Sequence, residues 1–125
     1  MRVIVTDQGF APESHHGDWF DLAPDVDVAA LSGQLEGVEA IRIAFPAFSD
    51  GRGLTLAARL RRMGFAGRLR ASGHIIADQY AMVRRAGFDE VEIADDLAAR
   101  QPEAQWLSRA DWRAHDYRAR LRGPA

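Results

Sequence analysis

A five-residue pattern, Arg-Arg-x-Gly-Phe, occurs twice in the chain, as RRMGF at Arg61–Phe65 and as RRAGF at Arg84–Phe88, 23 residues further on. Each copy closes an apolar-periodic stretch and precedes a strand-like run, so one helix-to-strand passage is repeated. Glycine at that place suits the left-handed conformation that caps a helix, and the phenylalanine beyond it can pack back on the last turn. Working outward, VEAIRIAFP (Val38–Pro46) alternates as a strand, and Leu54–Met63 follows as a helix with Leu56, Leu60 and Met63 on one face. RLRAS (Arg68–Ser72) is the next strand, Ile76–Ala86 the next helix with Ile76, Tyr80 and Val83 aligned, and EVEI (Glu90–Ile93) a third strand. Strands and helices alternating through short loops imply a parallel sheet with right-handed crossovers.

The 125 residues suffice for one core. The expectation is a single small α/β domain over 1–125, with a mainly parallel sheet of repeated βα units, open or barrel-like, its βα core at 38–93. RVIVT (Arg2–Thr6) reads as a strand, Asp7–Pro24 as a turn-rich segment and Asp27–Leu35 as a short helix. A C-terminal helix is predicted over 102–122, where Leu107, Ala110, Ala114, Tyr117 and Leu121 recur at spacings of 3 and 4. It docks on the body or forms the seam of a homodimer.

The strands are unusual for a parallel sheet. Ile41, Ile43, Phe45, Leu69, Ala71, Val91 and Ile93 fall on one face, and Arg42, Arg68, Arg70, Glu90 and Glu92 on the other. The simplest expectation is Arg and Glu paired across neighbouring strands in solvent, with a barrel-like interior or a subunit interface as the other readings.

Composition removes several chemistries. The chain has no cysteine, which excludes disulfides, thiolate nucleophiles, iron–sulfur ligation and cysteine zinc sites. All 16 basic residues are arginine, so Schiff-base chemistry and a phosphate-loop lysine are excluded too. Residues 1–40 carry eight acids against one arginine, whereas 41–93 carry nine arginines against five acids. A mildly acidic whole without interleaved aromatic and basic residues argues against nucleic acid. No run is long enough for a signal peptide or a membrane span, and a bacterial cytoplasm is the expected location.

Ligands of open α/β sheets bind at the carboxyl ends of the strands, here Ser49–Gly53, Ser72–His74 and Ala94–Asp96. In the stretch FPAFSDGRGLTLAARLRR, Arg52 stands between Gly51 and Gly53 just before a helix. The glycines let a ligand approach the backbone, the helix start presents free N–H groups and Arg52 adds a forked donor, a combination suited to an oxyanion. The competing reading is that Asp50 caps the helix, the glycines make the turn and Arg52 pairs with a nearby acid. His74, after Gly73 at a strand end, is the candidate acid or base, set against an ordinary polar loop residue. Asp78 and Gln79 complete a polar pocket or strengthen the next helix start. Asp95 and Asp96 read as a helix start, and His15 with His16 has no partner at ligand spacing, so no metal site is assigned.

The elements FPAFSDGRGLTLA, GRLRASGHIIADQ and RRAGFDEVEI, over about residues 38–93, resemble a bacterial family of unknown function, DUF934. Its members are often encoded beside assimilatory sulfite reductase and carry an oxidoreductase label. The shared elements are Phe45 and Pro46, Asp50 to Gly53, Arg70 to Gly73, and Asp78 with Gln79. The chain departs from the family at Ala86, where members often carry cysteine, and at Ala77, where they often carry arginine, which removes a thiol redox role. The resemblance implies an accessory protein of sulfite reduction that binds an anionic small molecule or the reductase itself. Arg52 and Arg70 would hold the anion, including the carboxylates of sirohaem if that is what is handed over; no cofactor is identified by the residues. The alternative is a small enzyme acting on an anionic metabolite, with His74 as acid or base and Arg52 holding the substrate.

Overall fold

A computed structural model of the chain describes residues 2–31 and 33–115. The strands are β1 (Arg2–Thr6), β2 (Gly9–Ala11), β3 (Phe20–Leu22), β4 (Ala40–Phe45), β5 (Arg68–Gly73) and β6 (Glu90–Ala94). The helices are α1 (Arg52–Arg62), α2 (Tyr80–Ala86), α3 (Asp95–Arg100) and α4 (Glu103–Leu107). All six strands join one sheet in the order β2-β1-β6-β5-β4-β3. β3, β4, β5 and β6 run parallel, while β1 lies antiparallel to both β6 and β2. The mostly parallel sheet of the sequence reading is therefore found, with β2 and β3 as its two edges among the described residues.

The parallel run advances one way, from β4 to β5 to β6. Right-handed crossovers then lay α1 and α2 on the same face of the sheet. Leu56, Ala57 and Leu60 of α1 and Tyr80 and Val83 of α2 share one buried cluster with Ile41, Ile43, Leu69, Ala71, Val91 and Ile93. Each fully buried Leu or Ile there contributes roughly 1.5–3 kcal/mol. The repeated Arg-Arg-x-Gly-Phe pattern ends both helices as expected. Gly64 and Gly87 have positive φ, 100° and 118°, and the Phe65 and Phe88 N–H groups donate back to the Leu60 and Val83 carbonyls.

Three expectations need correction. The segment Asp7–Pro24 holds two short strands, β2 and β3, each only three residues long and too short to show a period. The helix predicted over Asp27–Leu35 is one 3-10 turn at Val28–Leu31, started by Asp27 Oδ1 accepting from the Ala29 N–H at 3.0 Å and followed by Gly33 at φ 83°. The C-terminal helix over 102–122 is broken within the described residues: α4 is followed by a second 3-10 turn at Trp112–His115, and Tyr117 and Leu121 lie outside them. Trp106 is buried and donates its indole N–H to the Gln101 carbonyl at 2.9 Å. Trp112 donates to Asp7 Oδ2 at 3.3 Å, and its carbonyl accepts from Arg85. Residues six apart do not share one helix face, so both indoles dock only if the helix stops between them.

Among the described residues the opposite sheet face carries no helix, yet it is closed at its centre. Residues 12–19 join β2 to β3, the two outer edges, and so cross the whole sheet. Five inter-strand steps of about 4.8 Å make roughly 24 Å, and the nine Cα-to-Cα steps from Ala11 to Phe20 reach about 30 Å when extended. The crossing segment is a strap with little slack. It brings Glu13 to Arg70 and lays the Trp19 ring 4.1 Å from the Arg70 guanidinium carbon.

Candidate functional site

Under the strap, Arg70 is fully buried and Glu90 and Glu92 are 6% and 3% exposed. The expected cross-strand pairing of Arg and Glu is present, but solvent is not, because Glu13 and Trp19 roof it. Arg70 Nε donates to Glu90 Oε2 at 2.7 Å and Nη1 to Glu92 Oε1 and Glu13 Oε1, both at 2.8 Å. Glu92 also accepts from Arg2 at 2.8 Å, Ser72 at 3.1 Å and Arg42 at 3.3 Å. Burial works to raise the Glu92 carboxyl, but the hydrogen bonds from Arg70 and Ser72 and the charge of Arg42 outweigh it and hold it below its ordinary value. Glu13 is lowered from 4.5 to about 2, chiefly by its hydrogen bonds from Arg70. Every donor-bearing nitrogen of Arg70 is engaged by a carboxylate, so this residue holds the strap down.

At the carboxyl ends of β4, β5 and β6 the chain leaves two hollows. One, of about 620 Å³, is lined by Arg2, Phe48, Gly73, His74, Asp96 and Arg100, with Ala94 and Leu97 behind them. The other, of about 470 Å³, lies over the end of the charged face, between Arg2, Arg42, Ser72 and Asp21. Arg2 and Gly73 line both. Gly73 adopts φ 125°, and a side chain there would meet the Phe45 carbonyl at 2.6 Å; its place is set by the approach of β4.

His74 is exposed, and its ring meets Phe48 edge-on at 5.4 Å. No hydrogen bond to its imidazole exists among the described residues. Arg2 uses Nη1 for Glu92 and Ser72, leaving Nε and Nη2 without a partner among the described residues. Arg100 leans on Asp96, one turn back, at 3.3 Å, which leaves its Nη1 likewise open. The larger hollow thus joins two half-satisfied guanidinium groups, one imidazole and an aromatic ring, an arrangement that fits a partly apolar anion.

The predicted residues separate here. Asp50 takes Arg52 in a two-point pair, Nε to Oδ1 at 2.9 Å and Nη2 to Oδ2 at 2.7 Å, and Oδ1 also accepts the Arg52 backbone N–H at 3.1 Å. These contacts pull the Asp50 carboxyl down to about 2. That geometry matches the competing reading of the turn. Arg52 does not line the His74 hollow; it borders a smaller one of about 220 Å³ beside Val26 and Arg59. Gly51 has open space around it, whereas a side chain on Gly53 would strike the Phe45 ring at 2.7 Å. Asp78 pairs with Arg109 at 2.8 Å. Gln79 accepts from the Ile76 N–H at 3.0 Å and donates to the Phe48 carbonyl at 2.7 Å, so it anchors the loop that carries Phe48 to the hollow. Asp95 and Asp96 begin α3 as expected.

Of the predicted set, then, Gly73 and His74 line the hollow, and Gln79 positions its wall. Arg2 and Arg100 were not singled out. Arg2 enters through the antiparallel pairing of β1 with β6, where it stands opposite Ala94, and that pairing has no local signal in the sequence. Among the described residues no helix is long and apolar enough to cross a membrane.

A family model described as "Bacterial protein of unknown function (DUF934)" matches residues 20–124. The match begins at β3 and takes in β4, β5, β6 and the four helices, a wider span than the 38–93 of the sequence resemblance. β1, β2 and the strap, with Arg2 and Glu13, precede it. The curated proteins contain no match to the chain.

Proposed function

The chain belongs to this bacterial family of unknown function, DUF934, and on that footing we propose that it is an accessory protein of sulfite reduction, holding an anionic ligand in the hollow at the carboxyl ends of β4, β5 and β6. One observation carries the reading: Arg2, His74 and Arg100 line a single cavity of about 620 Å³, and each keeps nitrogen atoms unpaired among the described residues. The sulfite context is that implied by the resemblance in the sequence. The anion site moves, relative to the sequence reading, from Arg52 and Arg70 to Arg2 and Arg100, because Asp50 and the three glutamates occupy the former pair.

The test is a thermal-shift screen of the wild type, Arg100→Ala and His74→Ala against sulfite, sulfate, phosphate and sirohaem, with capture of sulfite reductase as a parallel arm. A ligand at about 100 times its dissociation constant adds roughly 2.7 kcal/mol to stability. A shift present in the wild type and lost in Arg100→Ala is the expected result. Absence of a shift with every compound, together with no capture of the reductase, would sink the reading.

The catalytic alternative draws on the free imidazole edge of His74. In that case His74→Ala removes a rate while leaving ligand affinity largely unchanged. Without a carboxylate on its ring among the described residues, His74 has no orienting partner of the relay kind, which favours the binding reading.

A further inference from the structure

A second basic hollow, of about 570 Å³, opens at the other end of the sheet, where β5 and β6 begin and α1 and α2 end. Arg61, Arg68, Arg84 and Arg113 line it with Trp112 and a single acid, Asp89. Two of these arginines are spoken for. Arg61 donates to the Gly87, Phe65 and Gly67 carbonyls and to Asp89, and Arg84 to the Phe88 carbonyl and Asp7. The other two are not: Arg68 uses Nη1 for Ser14 and a 3.5 Å approach to Glu90, and Arg113 has no acidic partner among the described residues, resting on the Trp112 ring at 4.8 Å.

We infer that this end of the sheet is a docking site for an acidic segment of a partner protein. The two open guanidinium groups stand on different walls, Arg68 at the start of β5 and Arg113 on the 3-10 turn packed against α2, so the ligand needs separated negative charges rather than one compact anion. Arg61 and Arg84, held by carbonyls and by their ion pairs with Asp89 and Asp7, form a fixed wall between them, and the net positive charge comes from Arg68 and Arg113. A peptide with carboxylates spaced along an extended backbone meets each of these features. The site lies at the opposite end of the sheet from the anion hollow and stands whether or not that hollow binds its ligand.

The experiment uses the full chain and a labelled ten-residue oligoglutamate, read by fluorescence anisotropy, with Arg113→Glu, Arg113→Lys and Arg100→Ala as variants. Arg113 is exposed, and its one ring or ion-pair contact among the described residues is the Trp112 ring, so its variants are expected to keep the fold, as circular dichroism checks. The expected result is binding by the wild type that weakens about fivefold or more in Arg113→Glu and falls steeply as salt is raised from about 50 to about 300 mM. Arg113→Lys retains most of it, and Arg100→Ala is unaffected. Equal binding by Arg113→Glu, or none by the wild type at low salt, overturns the inference. So does inorganic pyrophosphate that displaces the peptide at equal concentration of charge, which reassigns the hollow to a compact anion. Single-stranded RNA that binds more tightly than the peptide, with the same dependence on Arg113, reassigns it to nucleic acid.

Discussion

Arg61 and Arg84 hold the same place in the two halves of the repeat, and each sends Nη1 to the carbonyl of the phenylalanine four residues on, Phe65 at 3.0 Å and Phe88 at 2.5 Å. The first arginine of the pattern therefore completes the helix ending that its glycine begins. Arg61 also donates from Nε to the Gly87 carbonyl at 2.9 Å, so one unit of the repeat closes the helix end of the other.

Removing that cross-link has a cost that its neighbour does not share. Arg61→Ala leaves three carbonyls without a donor and is expected to lower stability by about 2–3 kcal/mol, whereas Arg62, exposed beside it, gives less than about 0.5 kcal/mol. Urea denaturation of the two variants makes the comparison, and equal losses would contradict the assigned role.

Arg70→Met tests the buried charge layer. It takes from Glu13, Glu90 and Glu92 the cation they share, leaving, among the described residues, Glu92 with Arg2, Arg42 and Ser72 and Glu90 with only the 3.5 Å approach of Arg68, and breaking a buried pair in this way costs about 3–5 kcal/mol near pH 7. In the wild type Arg70 helps to hold the Glu13 and Glu92 carboxyls below their ordinary values, so its contribution is lost as those groups protonate and the gap to the wild type narrows as pH falls toward about 3. A gap that stays constant between the two pH values would mean the layer is open to water.

Glu13 gives the same pH sign. Its folded pKa is depressed from 4.5 to about 2, so its contribution is present in full above 4.5 and is lost as pH falls through the window down to 2. Because the side chain is 42% exposed, solvent screening holds that contribution to about 1 kcal/mol. Glu13→Gln is expected to trail the wild type at pH 6 and to match it near pH 2, measured by denaturant titration at each pH.

The two glycines flanking Arg52 are expected to part company. Gly53→Ala drives a methyl into the Phe45 ring and costs about 1–3 kcal/mol. Gly51, at φ −86° with open space around it, accepts alanine with no loss or a slight gain. If Gly51→Ala nevertheless abolishes a ligand-induced thermal shift, the Asp50–Gly53 turn rejoins the binding surface; if the shift survives, the turn is structural.

The legible part of the chain is the part whose signals are local. The strands β4, β5 and β6 and helix α1 fall within about two residues of their predicted ends, because alternation, helical spacing and the glycine caps all act over a few residues. The start of the second predicted helix forms a 3-10 turn at Ala77–Gln79 ahead of α2, a smaller departure of the same local kind. The burial of Arg70 was not legible, since it depends on Glu13, 57 residues away, crossing the sheet on a strap that reads as turns. Arg2 belongs to the candidate site for a similar reason: it reaches the hollow through β6, 90 residues on. Arg52 drew attention by its glycines, and its pairing with Asp50 is the local outcome that the same sequence also allows.

The strap has a mechanical consequence. A segment whose reach exceeds the width of the sheet by only about 6 Å works as a tie rod between the two outermost strands. Lengthening it is harmless to the strands, since an added residue bulges outward. Shortening it by three residues brings its reach to about 20 Å, below the span, and peels away either β2 or β3, whichever is held by less. The same tether sets a limit on how far the sheet can flex about its centre: any motion that spreads the edges draws Glu13 and Trp19 down more tightly upon Arg70.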